Sequence, residues 1–229
     1  MVGRFNAYDF IAVVIPGMFF IWALGTFSKV LSLDDLMLKS GDLAETSILI
    51  VQGYILGLLL QGISQHLLEH IVTWFWGGLP SDRMLLPQDS TFPNEYKQNL
   101  RNLIRDKFHL SIRTDEVPQQ DLDAVLRDNH AAFRLCYRSV EKLTETPAVF
   151  NAQYGLFRCL LAMFGLLSLI ELIMLGRSYM SVPGDIATHI MNLVIFAVGG
   201  FISYLRMEKR AQDFSRSVYD LFYSHFSGK

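Results

Sequence analysis

Residues 156–175 read LFRCLLAMFGLLSLIELIML, an apolar run in which only Arg158 and Glu171 are charged. A helix rises about 1.5 Å per residue and a bilayer core is about 30 Å thick, so the run is long enough to cross a membrane. Backbone N–H and C=O groups exposed to lipid must be satisfied within their own segment, which favours helices. The chain is therefore predicted to be all-α, with four transmembrane helices formed by this run and by Phe10–Thr26, Ser47–Leu68 and Ile186–Leu205.

Charge is distributed unevenly over the segments that join these runs. The segment from Gly77 to Gly155 carries ten Lys and Arg residues, and the tail after Leu205 carries five more. The loop from Lys29 to Glu45 has two basic and four acidic residues. Because Lys and Arg accumulate in cytoplasmic loops, the insert and both termini are predicted to lie in the cytoplasm.

These features divide the chain into four parts. Residues 1–76 form a first transmembrane pair with a short external loop, and residues 77–155 form a cytoplasmic helical insert between spans two and three. Residues 156–205 form the second transmembrane pair, and residues 206–229 form a cytoplasmic C-terminal helix. The near-heptad apolar stripe of that last helix predicts that it packs against the insert or against another subunit.

Apolar residues recur at helical spacing within the insert. They predict one amphipathic helix over Asn94–His109. A second helix is predicted to open at Pro118, and a third to continue from Ala132 until Pro147 closes it. From Ala148 the pattern enters the third span without a breaker. The helix of that span is therefore predicted to extend beyond the membrane.

The second run has a polar side. Residues on that side repeat every four positions and drift by about 40° per step, namely Gly53, Gly57, Gln61, Gln65 and Glu69. Amides are costly in hydrocarbon unless they find partners or face water. One interpretation is a pore lining that ends in an acidic ring; the other is a helix–helix seam closed by the glycines and bonded by the amides. The predicted pore-lining residues are Gln52, Gln61, Gln65 and Glu69.

A short motif lies at the end of the second run. His66-Leu67-Leu68-Glu69-His70 matches H-x-x-E-H, which places two imidazoles on one helix face beside a carboxylate. The match is only five residues long, and the chain has too few residues for the surrounding protease architecture. The sequence contains no Gly-rich phosphate loop, nucleophile elbow or Cys-x-x-Cys pair. We therefore expect a protein that is not an enzyme and holds no metal or cofactor.

Two ionisable residues lie at similar depth in spans three and four. Glu171 is about one turn before Gly176, and His189 follows the turn that joins the two spans. An antiparallel hairpin therefore places Glu171 near His189, with Asn192 at a similar depth. The pair is interpreted either as a structural lock on the hairpin or as a gate that responds to protonation.

The insert contains two rows of basic residues at i, i+4, i+8 spacing. Two such rows facing a shared cleft would hold a phosphate-rich ligand such as a nucleotide or single-stranded DNA. Eleven acidic residues bring the insert close to neutrality, so solvated helix faces are the alternative. The candidate ligand-binding residues are Lys97, Arg101 and Arg105 in one row and Arg134, Arg138 and Lys142 in the other.

Short motifs along the whole chain resemble those of small four-span bacterial membrane proteins. They are the opening Tyr8-Asp9 with Pro16-Gly17, the junction Tyr154-Gly155-Leu156-Phe157-Arg158, and the basic tail rich in Phe and Tyr. Such proteins are similar to the membrane effectors of anti-phage defence operons, including the Hailong and Kiwa systems. The resemblance implies an oligomer in the inner membrane that responds to a cytoplasmic signal. In Hailong-type systems that signal is a DNA oligomer made by a partner nucleotidyltransferase.

Two functions follow as expectations. The first is a homo-oligomeric channel effector, with a tetramer as one candidate, whose path through the bilayer is gated by a cytoplasmic ligand. The second is a membrane-anchored scaffold or sensor that passes no ions and recruits a cytosolic partner protein from the same operon. The basic rows are a ligand sensor in the first hypothesis and a docking surface in the second.

Overall fold

The computed structural model describes residues 10–27, 43–68, 71, 75–115, 117–181 and 186–228, which form helices and connecting loops with no strand among them. The all-α prediction is therefore confirmed for this part of the chain. Turns of π-helix, Phe10–Val14 and Ser64–Leu68, adjoin the first two helices. The α-helices are α1 (Ile15–Phe27), α2 (Leu43–Ile63), α3 (Pro80–Arg83), α4 (Asn94–Phe108), α5 (Leu122–Val140), α6 (Thr146–Ser181) and α7 (Ile186–Phe226).

The chain forms two compact units. Met1–His70 and Ala152–Glu208 make the first, called the membrane unit below, and Ile71–Asn151 and Lys209–Lys229 make the second, called the insert unit. Helices α6 and α7 each contribute residues to both units. The predicted continuation of the third apolar run into a longer helix is therefore confirmed, and the fourth run and the C-terminal helix are one continuous helix, α7.

Among the described residues, three helical segments are long and apolar enough to cross a membrane. They are Thr46–His66, Thr146–Tyr179 and Ile186–Phe226, and a shorter apolar helix covers Phe10–Gly25. Large apolar side chains on these helices point outward, including Leu59 and Phe201. Such surfaces fit a membrane protein, because lipid accepts apolar side chains that water would exclude.

The membrane unit is held by one buried cluster to which all four of its helices contribute. Helices α1 and α2 supply aromatic and aliphatic side chains, while α6 supplies the largest share. The Phe164 ring lies against Gly199 of α7, where any side chain larger than hydrogen would meet it. The buried members are Phe20, Ala23, Leu60, Ala162, Met163, Leu167 and Phe196.

The insert unit has a larger buried apolar cluster, to which α4, α5 and the end of α7 contribute. Tyr219 and Phe222 of α7 are completely buried there. Phe108 stacks on Phe222 with ring centroids 5.6 Å apart, and Phe133 meets Tyr219 edge to face at 5.5 Å. The prediction that the last helix packs against the insert is therefore confirmed. The same core buries Cys136, and burial raises the pKa of its thiol to about 12.

The insert helices differ from the prediction in two places. Helix α4 ends at Phe108, one residue before the predicted end, and is followed by His109 in the left-handed conformation with φ of 56°. The second and third predicted helices are instead one helix, α5. Pro147 lies in the first turn of α6 rather than at the end of α5. The backbone N–H groups of the first helical turn have no acceptor within the helix. Proline, which has no N–H group, can therefore stand there without the loss of a hydrogen bond.

Candidate functional site

The glycines of the second apolar run lie in a seam between α1 and α2. A methyl group on Gly17 would overlap the backbone of Gly53, and one on Gly57 would overlap the carbonyl group of Val13. Backbone atoms therefore exclude a side chain at Gly17 and Gly57, whereas a methyl group on Gly53 would meet the side chain of Met18. The close packing that the seam interpretation predicts is therefore present at Gly53 and Gly57.

The glutamines of the second run lie on two different sides, with Gln61 in α2 one turn after Gly57 and Gln65 in the π-helical turn Ser64–Leu68. Gln52 and Gln61 are nine residues apart in one continuous helix, which turns them about 180° away from each other. Gln61 and Gln65 are four residues apart and share one side; Gln61 is half-buried and Gln65 is exposed. One helix therefore presents Gln61 and Gln65 together, and Gln52 elsewhere. Glu69, the predicted acidic ring, and His70 lie outside the described residues.

A buried polar contact joins α2 to α6 next to these amides. Ser64 is fully buried, and its hydroxyl donates to the carbonyl oxygen of Gln61 at 2.9 Å. The same hydroxyl lies 4.0 Å from the sulfur of Cys159. Ser64 also begins the π-helical turn that carries Gln65 and His66. Such turns widen a helix locally and occur often at functional sites.

The hairpin of α6 and α7 brings Glu171, His189 and Asn192 together. One carboxylate oxygen of Glu171 lies 2.7 Å from Nδ1 of His189, and the other accepts from Nδ2 of Asn192 at 3.1 Å. Glu171 and Asn192 are each 3% exposed. The contact predicted from hairpin spacing is therefore present. Both oxygens of the acid have partners, which is what burial of a carboxylate requires.

The first basic row of the insert does not form a charged surface. Lys97 is 1% exposed, and its ammonium donates to the carbonyl oxygens of three residues, at 3.2, 2.9 and 2.6 Å. Arg101 donates twice to the carbonyl oxygen of Leu85. Burial and the neighbouring Arg101 guanidinium lower the pKa of Lys97. Both cations hold the loop before α4, whose accepting carbonyls belong to Leu85, Leu86, Pro87 and Asp89.

The remaining basic candidates are exposed. Arg105 lies beside Asp106 with 3.4 Å between nitrogen and oxygen, an exposed pair of little energetic value. Arg134, Arg138 and Lys142 are exposed on α5 and the turn after it, and within the described residues none has an acidic partner. Within the part of the chain that the structure describes, one of the two predicted rows is therefore exposed throughout, the row of Arg134, Arg138 and Lys142.

Sequence reasoning missed a polar cluster around Asp82. The Asp82 carboxylate accepts from the Ser81 hydroxyl at 2.6 Å and lies 3.1 Å from Nδ1 of His130. Asn129 donates to the Asp82 carbonyl oxygen at 2.8 Å, and Tyr219 donates to that of Ser81 at 2.7 Å. Burial raises the pKa of Asp82, and the contacts of its carboxylate with Ser81 and His130 oppose this rise only in part. No periodic signal marks these contacts, because α3 is a single turn.

Comparisons of this chain with protein families, curated proteins and solved structures found no match.

Proposed function

We propose that the chain is an oligomeric membrane channel or pore effector, gated by a ligand that binds in the cytoplasm. In this proposal Phe10–Thr26 is the fourth span, both termini are cytoplasmic, and the membrane is the bacterial inner membrane. The observation that carries the proposal is the exposed amide of Gln65, on the same side of the second apolar run as Gln61.

An exposed amide on an apolar helix needs an environment other than lipid. Its N–H and C=O groups lose their hydrogen bonds in hydrocarbon unless they meet another protein chain or water. A ring of identical subunits offers both, because each copy of Gln65 then faces a shared axis. Homo-oligomerisation around this side of α2, with a tetramer as one candidate, satisfies Gln61 and Gln65 and creates a polar path.

The connection between the two units supports a gating role for the insert. Helices α6 and α7 each continue from the membrane unit into the insert unit without a break. A ligand that prefers one arrangement of the insert unit shifts the equilibrium by its difference in affinity between the two states. The free row of Arg134, Arg138 and Lys142 is the candidate surface for a phosphate-rich ligand, a nucleotide or single-stranded DNA.

Currents across a planar bilayer test the conducting path. Replacing both Gln61 and Gln65 by Leu should abolish conductance while the oligomer stays intact, because the path loses its polar lining. The matched control is Gln52→Leu, which makes the same change on the other side of the helix and should conduct as the wild type does. Equal currents from the double variant and the wild type would remove α2 from the path.

The defence role implied by the resemblance is tested in cells. Bacteria that express the chain with its neighbouring genes should restrict phage plating, and the Gln61→Leu, Gln65→Leu variant should lose that restriction at equal expression. Restriction that persists in a variant shown to be non-conducting would separate defence from ion flow.

A second function, a non-conducting scaffold or sensor, is favoured by one observation. The α5 row is exposed and lacks acidic partners among the described residues, as expected of a docking surface for an acidic protein. A stoichiometric complex with the product of a neighbouring gene, lost on Arg134→Ser and Arg138→Ser and formed by a protein that leaks no ions, would favour the scaffold over the channel.

A further inference from the structure

His130 lies on α5 one turn before Arg134, the first residue of the exposed row, and a carboxylate holds one end of its ring. Nδ1 of His130 lies 3.1 Å from a carboxylate oxygen of Asp82, a residue of α3. The Asp82 side chain is 11% exposed, whereas that of His130 is 45% exposed. A carboxylate at one ring nitrogen fixes the orientation of an imidazole and leaves the other nitrogen for a further contact.

The second ring nitrogen of His130, Nε2, can be reached from solvent. It has no hydrogen-bond partner among the described residues, and it is not buried. Asp82 lies on the Asn129 side of α5, because Asn129 donates to the Asp82 carbonyl oxygen at 2.8 Å. The two nitrogens lie on opposite sides of an imidazole ring. Nε2 therefore faces away from Asp82 and toward the exposed side of the helix.

That exposed side carries arginines before and after His130. Arg127 lies three residues before it and Arg134 four residues after it, and both are exposed. Residues at these spacings are neighbours on a helix surface. Arg138 continues the row by one more turn, and within the described part of the chain these arginines have no ion-pair partner. The acidic residues of this side lie at its two ends, Asp123 and Glu141.

The groups that α3 and α7 place around the pair do not exchange a proton near neutral pH. Ser81 donates its hydroxyl to the Asp82 carboxylate, and Arg83 donates to a backbone carbonyl oxygen. Tyr219 of α7 donates to the carbonyl oxygen of Ser81, and burial raises the pKa of its phenol. A proton that is bound near neutral pH therefore belongs to Asp82 and His130 together.

One proton decides what Nε2 offers to a ligand. An ionised carboxylate only accepts hydrogen bonds, so beside ionised Asp82 a neutral His130 carries its hydrogen on Nδ1, and Nε2 is an acceptor. One more proton gives either an imidazolium beside a carboxylate or a neutral imidazole beside a carboxylic acid. In both forms Nε2 carries a hydrogen and is a donor. Burial raises the pKa of Asp82, which favours the uptake of this proton.

We infer that the Asp82–His130 pair is a proton-controlled member of the phosphate-binding surface on α5. In the protonated pair, Nε2 donates to a phosphate oxygen of a single-stranded oligonucleotide that the arginines attract by its charge; in the deprotonated pair, its lone pair repels that oxygen. Ligand binding and proton uptake favour each other, so the row binds more tightly at lower pH. This rests on the proposed function, because it takes the row as the ligand sensor.

Fluorescence anisotropy of a labelled oligothymidylate tests the inference with the full-length protein in detergent, at constant ionic strength. Measurements at about pH 6 and about pH 8 span the range in which histidine side chains change charge. Phosphodiesters stay ionised at both values, so a change in affinity belongs to the protein. The wild type should bind about tenfold more tightly at the lower pH, the effect of one added charge-assisted hydrogen bond. His130→Gln should bind at both pH values as the wild type does at the higher one, with an unchanged circular dichroism spectrum.

Two variants are matched controls. Arg138→Gln removes a charge that does not titrate, so it should weaken binding by the same factor at both pH values. His109→Asn removes another exposed histidine of the insert unit, outside the row, and supplies a residue type that tolerates the left-handed backbone at that position. It should keep the pH dependence of the wild type.

Equal affinity of the wild type at both pH values would overturn the inference and leave the row as a phosphate site. A pH dependence that persists in His130→Gln would also overturn it, because the proton would then belong to another group. No binding at either pH would reject single-stranded DNA as the ligand of the row, and the inference with it. The currents of the Gln61 and Gln65 variants would still judge the conducting path.

Discussion

The membrane unit and the insert unit are both helical, yet they place their large apolar side chains differently. In the most apolar windows of α2, α6 and α7, only 17%, 28% and 17% of the residues are buried. In the insert unit, Leu100, Ile104 and Phe222 have no exposed surface at all. Water drives apolar side chains inward in the insert unit, whereas lipid removes that drive from the membrane unit.

The polar groups show the complementary difference. The membrane unit turns Glu171, Asn192 and Ser64 inward, where they find protein partners. The insert unit buries Lys97 and Arg101 against backbone carbonyls. Both units therefore have a buried apolar cluster, to which the membrane unit adds close backbone approach and inward polar contacts, and the insert unit adds buried cations bound to carbonyl groups. Each of the following changes should alter the stability of one unit and leave the stability of the other unit unchanged.

The largest effect is expected in the glycine seam. Gly57→Ala places a methyl group against the backbone of Val13, which cannot move without separating α1 from α2. We expect a loss of about 3 kcal/mol, measured as a fall in the melting temperature of the protein in detergent. The matched control, Gly62→Ala, adds the same methyl group on the same helix, where nothing lies within 4 Å. Equal melting temperatures for the two variants would contradict the seam.

A somewhat smaller effect is expected at Lys97 in the insert unit. Lys97→Met keeps the length of the side chain but removes the donors to three carbonyl groups. We expect a loss of about 2 kcal/mol, because buried acceptors are left unsatisfied. Thermal unfolding followed by circular dichroism measures it. Arg105→Met on the same helix, where only an exposed ion pair is lost, should change stability by less than about 0.5 kcal/mol. An equal loss of stability in Lys97→Met and Arg105→Met would show that the lost positive charge, rather than the lost hydrogen bonds to carbonyl groups, destabilises the protein.

The hairpin of the membrane unit should respond more weakly. Glu171→Leu removes the acceptor of both His189 and Asn192 and should cost about 1 kcal/mol, the usual scale for polar contacts between membrane helices. The measurement is unfolding in mixed micelles. Glu171→Gln, which keeps an acceptor for Asn192, should recover part of the loss. No difference between Leu and Gln would show that the acid itself, and not its hydrogen bonds, holds the hairpin.

The smallest expected effect is a change in the stability of the insert unit with pH. Burial raises the pKa of Asp82 above its ordinary value of 3.8, so the folded unit binds this proton more tightly than the unfolded chain does. The stabilisation from Asp82 is complete below the unfolded pKa and is lost as the pH rises through the raised folded pKa. Asp82→Asn stays neutral throughout. The wild type should therefore lose melting temperature relative to the variant as the pH rises from about 4 to about 7. Parallel curves would contradict the raised pKa.

Much of the fold could be predicted from the sequence, because hydrophobic runs and helical periods are local signals. The bounds of α4 were predicted to within one residue, and the contact of Glu171 with His189 followed from hairpin spacing. Pro147 was misread because a proline that ends one helix and a proline that begins the next have the same local appearance.

The candidate site was less predictable, since it depends on which side of each helix is covered. The i, i+4 spacing of Lys97 and Arg101 suggested a ligand row, but together with Leu100 and Ile104 the two residues form an i, i+3, i+4, i+7 pattern on the buried side of α4. The position of Lys97 and Arg101 within the apolar stripe of α4 was the sequence signal that both side chains are buried. The bond from Asn129 to the Asp82 carbonyl oxygen joins α5 to α3, a contact for which no local pattern exists.

Each unit contains one buried cysteine, so the rate at which its thiol reacts with a reagent reports the opening of that unit. Cys136 belongs to the insert unit and Cys159 to the membrane unit, both thiols are buried, and the chain has no other cysteine. A water-soluble maleimide can react with Cys136 only after the insert unit opens, and with Cys159 only after the membrane helices separate. Peptide mapping of a timed labelling reaction would therefore read two opening rates from one unmodified protein, and would show whether the units unfold together or one at a time.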